Sequence, residues 1–216
     1  EGMLHRVLRF DTGAETSHDV HNLIVVGDEK GMVAWRPSLK SAKALAPEGF
    51  RLRRIVDGKD SLLLVEGADE RGVLYGSFAL LRRIAEERSL AGLDVVEAPS
   101  APVRWTNEWD NTDGSIERGY AGRSIFFDGG VVRADLSRVG KYARLLASVG
   151  INGCTINNVN ADARLLRPEN LREIARVAAA FRPYGVKLSL SIAMNSPQVI
   201  GGLTTFDPLA PEVAAW

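Results

Sequence analysis

Two kinds of period run along this chain. Ahead of residue 98, short apolar or alternating runs at Leu23–Val26, Phe50–Val56, Ser61–Val65 and Leu93–Glu97 predict strands. Among them, Val73, Phe78, Leu81 and Ile84 fall near helical spacing and predict a helix over Arg71–Glu87. A second helix is expected over Ser38–Ala46, because Pro37 suits a helix start. Gly27-Asp28-Glu29-Lys30-Gly31 reads as a turn between elements, and without a Gly-Lys-Ser/Thr ending it is no phosphate loop. Strands with interspersed helices indicate an α+β layer packed on one sheet. Ala98-Pro99-Ser100-Ala101-Pro102 then breaks both periods, since proline removes a donor and restricts its predecessor. The domain boundary is expected there, with 1–98 before it and 103–216 after it.

Beyond the boundary the pattern becomes regular. Val103–Trp109 is a candidate strand, followed by a long glycine-rich loop. Leu136, Val139, Ala143 and Leu146 form an amphipathic stripe closed by Gly150, and Ile151–Ile156 is a short strand. Pro168 opens a helix carrying Leu171, Ile174, Ala178 and Phe181, which ends at Pro183-Tyr184-Gly185. Val186–Ile192 is a third strand, and Pro211-Glu212-Val213 begins another helix. Strands alternating with helices predict parallel strands joined by right-handed crossovers. A doubly wound sheet and a (β/α)8 barrel both begin this way. The first strand-to-helix loop has no Gly-x-Gly-x-x-Gly, which disfavours a dinucleotide fold. Polar residues crowd the C-terminal ends of the strands, where barrel enzymes keep their active sites.

Composition removes several classes of function. Apolar residues make up 45% and charged residues 25% of the 216, close to the globular average, so a disordered chain is excluded. Twenty-seven basic side chains balance 27 acidic ones, leaving no case for nucleic acid as the main partner. The apolar runs Leu62–Val65 and Val177–Phe181 fall far short of the roughly 18 residues that span a bilayer. A single cysteine, Cys154, excludes an internal disulfide and a multi-cysteine metal site, and its place in an apolar strand marks it as a small core residue. His18 and His21 lack a third ligand and read as solvated surface residues. The chain begins Glu1-Gly2-Met3 without a basic-then-apolar leader and stops at Trp216, so it reads as a piece of a longer polypeptide. A cytoplasmic address is favoured, with secreted and periplasmic ones left open.

Chemistry concentrates after the first parallel strand. Trp105-Thr106-Asn107-Glu108-Trp109-Asp110-Asn111 and then Asp113–Ser124 alternate carboxylates, amides, arginines and aromatic rings with little aliphatic content. A sugar has a polar rim and apolar C–H faces and needs such rings beside hydrogen-bonding groups. A uronic acid also needs a cation, best met by a guanidinium. The second strand ends in Asn157-Asn158-Val159-Asn160, whose amides could hold sugar hydroxyls or simply make a turn. Asn195-Ser196-Pro197 ends the third. Glu108 with Asp110, or Asp110 with Glu117, could be read as a glycosidase pair. Residues on opposite faces of a strand, or on one loop, rarely flank a bond symmetrically, so binding or structural roles fit them better.

These residues carry a resemblance. Trp109-Asp110-Asn111, Asp113–Gly122, Ser124–Phe127, Tyr142–Ser148, Gly150–Gly153 and Ile156–Ala161 are similar to the signature of family 67 α-glucuronidases. Phe181–Gly185, Ser196-Pro197, Gly201–Leu203 and Phe206–Leu209 continue it, while Met194-Asn195 and Ala210 depart from it. Glu70–Phe78 resembles a more general motif shared with hexosaminidase-type accessory domains. The resemblance implies a small α+β N-terminal domain followed by the first β/α units of a truncated (β/α)8 TIM barrel. It implies an inverting hydrolase that removes (4-O-methyl-)D-glucuronic acid from xylo-oligosaccharides, with no cofactor and no metal. A homodimeric parent is compatible with it. Trp109 matches the tryptophan that walls the uronic acid pocket, and Val159 the apolar residue beside the 4-O-methyl group. Asp110, Glu117, Arg118, Asn157 and Asn158 are the other candidate substrate-binding residues. A non-catalytic carbohydrate-binding or structural remnant is the alternative. The family's acid and base come from later strands, so this 216-residue chain is expected to release no glucuronic acid from xylo-oligosaccharides. Release by the purified chain, above a control for contaminating enzyme, would contradict that.

Overall fold

The computed structural model describes residues 22–41, 43–156 and 162–216, and in it the chain is a mixed α/β protein. It divides into two compact units, Glu1–Pro102 with Ser148–Gly150, and Val103–Ala147 with Ile151–Trp216.

The first unit is built on a four-stranded sheet. Its elements are β1 (Asn22–Asp28), α1 (Glu29–Trp35), β2 (Phe50–Asp57), β3 (Asp60–Gly67), α2 (Glu70–Ala85) and β4 (Asp94–Glu97), with sheet order β1-β3-β2-β4. β3 runs parallel to β1 and antiparallel to β2. Both faces of the sheet are covered, which is why Leu62–Val65 reads as an unbroken apolar run. One face packs Phe50, Leu52 and Val65 against Tyr75 and Leu80 of α2. The other packs Leu62 and Leu64 against Met32 and Leu39.

Two local expectations fail here. Asp28 caps α1 by accepting from the Gly31 amide at 2.7 Å, so the stretch read as a turn begins a helix. The helix expected over Ser38–Ala46 is reduced to a 3-10 turn at Pro37–Leu39. The carbonyls of Leu39 and Lys43 instead accept from the guanidiniums of Arg53 and Arg51. Those arginines, with Ser41, surround Glu66, which is 2% exposed on the covered face of β3. A buried carboxylate must be paired, and here the loop is shaped to pair it.

The second unit carries β5 (Trp105–Asn107), a hairpin of β6 (Phe127–Asp128) and β7 (Val131–Val132), α3 (Ser137–Ser148), β8 (Gly153–Ile156), α4 (Pro168–Phe181), β9 (Lys187–Leu190) and the short helices α5 (Ser196–Val199) and α6 (Pro211–Ala215). β5, β8 and β9 form a parallel sheet in that order. The three strands are shorter than their apolar runs and start together at Asn152. Its side chain accepts from the Arg104 amide at 3.0 Å and its carbonyl from the Lys187 amide at 3.0 Å.

The two faces of this sheet differ. Cys154, Ile156, Leu188 and Leu190 join the core made by Val139, Ala143 and Leu146 of α3 and Ile174, Val177 and Phe181 of α4. Phe126 sits among them, edge-on to Phe181 and to Tyr142. Register puts Trp105, Asn107, Thr155, Lys187 and Ser189 on the opposite face. There the Trp105 ring lies over Gly153, where a Cβ would collide with the indole.

In the first unit, α2 approaches the sheet through Gly72, where a Cβ would run into the Gly49 carbonyl oxygen. Gly72→Ala is therefore expected to lower stability by about 1–3 kcal/mol, the usual cost of overpacking. A denaturant midpoint equal to wild type would contradict the close approach.

Candidate functional site

The residues after β5 fold back on themselves as a closed loop. Glu108 extends the ladder, its amide donating to the Thr155 carbonyl at 2.8 Å. The Trp109 carbonyl then accepts from the Glu117 amide at 2.8 Å, and the Asn111 amide donates to the Ser115 carbonyl at 2.9 Å. The Asn111 side-chain amide spans the turn, donating to Ser115 Oγ at 2.9 Å and to the Glu117 carbonyl at 2.8 Å. Asp113 closes its tip by accepting from the Ser115 amide and hydroxyl, and these bonds hold its carboxyl below the ordinary aspartate range. Glu117 takes a left-handed φ of 57°, a conformation that costs a non-glycine residue energy and is maintained by the bonds around it.

Strand alternation separates the side chains of this loop. Trp109 is 41% exposed and falls on the parity of Trp105 and Asn107, away from α3 and α4. Glu108 and Asp110, expected on opposite faces of a strand, both fall on the helix side, because positions two apart share a face. The Tyr142 hydroxyl of α3 donates to the Glu108 carboxylate, and Cys154 Sγ lies 4.0 Å from Glu108 Oε1. Burial raises the Tyr142 pKa, reinforced by its bond to Glu108. Burial likewise pushes the Cys154 thiol up to about 12, with the nearby Glu108 and Asp110 charges adding to the effect.

Asp110 is 5% exposed and is held from the inside of the loop. Burial, the larger influence, raises its pKa, while the neighbouring Ser124 hydroxyl and Ile125 amide act to lower it. Ser124 Oγ in turn accepts from the amides of Phe126 and Phe127 at 3.0 Å each. Asp110 Oδ1 is buried and has no hydrogen-bond partner among the described residues.

The candidate residues therefore separate. Trp109 and Glu117 are brought together by a backbone hydrogen bond. Arg118 projects from the same turn with its side chain 85% exposed, 3.9 Å from Glu117. Asp110 belongs to the interior of the loop. Asn157, Asn158 and Val159, with Asn160, lie outside the described residues, as do His18 and His21. Ser196 is turned inward, its hydroxyl donating to the Ala193 carbonyl at 2.6 Å. Sequence reasoning missed Tyr142 and Ser124 as partners of the two carboxylates. The available signal was parity, since residues flanking an outward tryptophan must point inward.

Fold and loop together define an α/β unit joined in sequence to parallel β/α units, with an aromatic and carboxylate-rich loop at the C-terminal end of the first parallel strand. Solved structures agree at the level of fold. A family GH115 4-O-methyl-alpha-glucuronidase with specificity for decorated arabinogalactans aligns with a TM-score of 0.56 at 16% identity, over 89% of this chain and 27% of that one. The structure of CpGH84B aligns with a TM-score of 0.54 at 13% identity, over 93% of this chain and 31% of that one.

The sequence is decisive about family. Residues 1–80 match the glycosyl hydrolase family 67 N-terminus and residues 83–216 the family's middle domain, so the chain belongs to glycosyl hydrolase family 67. Among curated relatives, the probable alpha-glucuronidase A of Aspergillus clavatus is 49% identical over 172 residues, 80% of this chain and 20% of that protein. That of Aspergillus terreus is 52% identical over 169 residues, 78% of this chain and 20% of that protein. The chain thus spans about a fifth of the length of these relatives.

Cys154 is fully buried and its thiol is held protonated, which removes the nucleophilic thiolate. At mildly alkaline pH it is expected to resist an aryl disulfide reagent in the folded protein and to react at once in denaturant. Rapid labelling of the native protein would contradict this environment.

Proposed function

We propose that this chain is the N-terminal part of an α-glucuronidase that hydrolyses the α-1,2 bond of (4-O-methyl-)D-glucuronic acid on xylo-oligosaccharides with inversion. The observation that carries the reading is the match of nearly the whole chain to family 67, with about 50% identity to proteins named alpha-glucuronidase. In this reading residues 1–98 are an accessory domain and residues 103–216 begin the catalytic barrel. The parallel order β5-β8-β9, with α3 and α4 in the two crossovers, supports them as the first units of a (β/α)8 barrel. Their polar second face is then the side that later strands would enclose.

The loop after β5 supplies one wall of the uronic acid pocket. The exposed Trp109 ring offers an apolar face to the sugar, Glu117 and Arg118 stand at its polar rim, and the Arg118 guanidinium suits a carboxylate. Asp110 serves by shaping the loop from within. Asn157, Asn158 and Val159 would complete the wall from the end of β8. Glu108 and Asp110 share the helix side of one strand end, which speaks against their flanking a glycosidic bond as acid and base. Those two groups would come from later strands of the barrel.

In the full-length enzyme, Trp109→Ala is expected to cost a few kcal/mol, about a hundredfold or more in kcat/KM for glucuronoxylo-oligosaccharides, as for a pocket aromatic lost. Wild-type kcat/KM in that variant would overturn the pocket, and failure of the full-length protein to release 4-O-methylglucuronic acid would overturn the activity.

A further inference from the structure

An exposed tryptophan at a strand end has two soft backbone angles and two side-chain angles to settle. Glu108 precedes Trp109 and turns to the helix side, where the Tyr142 hydroxyl donates to its carboxylate and Thr106 Oγ1 lies 3.5 Å from that hydroxyl. Its own amide is spent on the Thr155 carbonyl at 2.8 Å. No basic side chain forms an ion pair with Glu108 among the described residues. A half-buried carboxylate without a counter-ion is costly, and a leucine would fill the same space against α3 without that cost. Direction is what the carboxylate adds, because a hydrogen bond fixes an angle and apolar packing does not. Tyr142 is itself fixed, its ring edge-on to the fully buried Phe126 with centroids 6.4 Å apart.

We infer that Glu108, held by Tyr142, is a positioning residue for Trp109: it locks the peptide that sets where the indole stands. The inference rests on the proposed reading of Trp109 as a pocket wall. The chain of support runs from the aromatic core through the Tyr142 hydroxyl and the Glu108 carboxylate to the Trp109 backbone. On its other side Trp109 is held by the Glu117 amide and by Asp110, so loss of Glu108 frees one of two supports and leaves the ring present but looser. The effect belongs in ground-state binding, because the ring packs on the sugar before any bond breaks.

The test uses the full-length protein labelled with 5-fluorotryptophan, with the Trp109 fluorine resonance assigned by its loss in Trp109→Phe. Three variants are compared: Glu108→Ala, Tyr142→Phe, which removes only a hydroxyl and keeps the stacked ring, and Glu108→Gln, which keeps an oxygen to accept from Tyr142. In Glu108→Ala and Tyr142→Phe the Trp109 resonance is expected to shift and change width while that of Trp105 stays, and Glu108→Gln is expected to restore the wild-type signal. Titration with 4-O-methyl-D-glucuronic acid should then show affinity falling roughly tenfold in the two disruptive variants, with KM raised and kcat held for oligosaccharide, the scale expected when a positioned group is displaced. If Tyr142→Phe and Glu108→Ala leave the Trp109 resonance at its wild-type position and width, the positioning role is wrong. If Glu108→Ala does not fold, Tyr142→Phe decides alone. A moved resonance with unchanged affinity would uphold the positioning and overturn Trp109 as the pocket wall.

Discussion

Ser124 is the joint on which the candidate site depends. Its hydroxyl oxygen accepts from the amides of Phe126 and Phe127, whose rings are buried in the core, and the same hydroxyl helps to favour the charge on Asp110, next in sequence to Trp109. One small side chain thereby connects a dry aromatic core to a polar loop. A hydroxyl suits the place because it donates and accepts at once. The aspartate at the strand end is buried beside this turn with one carboxylate oxygen unpartnered among the described residues, and the tryptophan next to it is left exposed. The loop after β5 is long, but its first part is tied down by the hydrogen bonds of Trp109, Asn111 and Asp113 to Ser115 and Glu117.

The unequal faces of the three-stranded sheet have a similar origin. Cys154 and Ile156 alternate with Gly153 and Thr155 along one short strand, so α3 and α4 meet an apolar surface while the other face offers glycine, hydroxyls, an amide and a lysine. Parallel sheets are normally buried on both faces, and barrel interiors are filled by side chains from all their strands. The first unit solves its sheet differently. It covers both faces with its own helices and turns, and pairs a carboxylate trapped there, Glu66, with two arginines.

Much of the fold was legible in the pattern of the chain. The strand runs at Phe50–Val56, Ser61–Val65 and Leu93–Glu97 and the stripes on α2, α3 and α4 all lie in or overlap elements of the expected kind, because burial on one face writes a period into the sequence. The failures were short-range. Asp28 and Gly31 have the composition of a turn, and only the side-chain bond between them makes a helix start. Ser38–Ala46 has helical composition, but its Leu39 and Lys43 carbonyls accept from Arg53 and Arg51 of the strand that follows, 14 and 8 residues on. The β6–β7 hairpin was hidden in a glycine-rich stretch with too few residues to show any period.

The sequence by itself determined the class of the protein: neutral charge, one buried cysteine, alternating β/α periods, and a tryptophan and carboxylate cluster at a strand end, dense enough to mark the family. Local period and residue chemistry carry that information without reference to distant partners. Only the tertiary structure decided which members of the cluster face outward. Trp109, Glu108 and Asp110 are adjacent and look equally available in the chain, yet the pleat turns one away from the helices and the other two toward Tyr142 and Ser124. Those two partners lie 34 and 14 residues from the carboxylates they hold. Strand parity follows from the backbone, but whether an inward carboxylate is satisfied depends on what the rest of the fold brings against it.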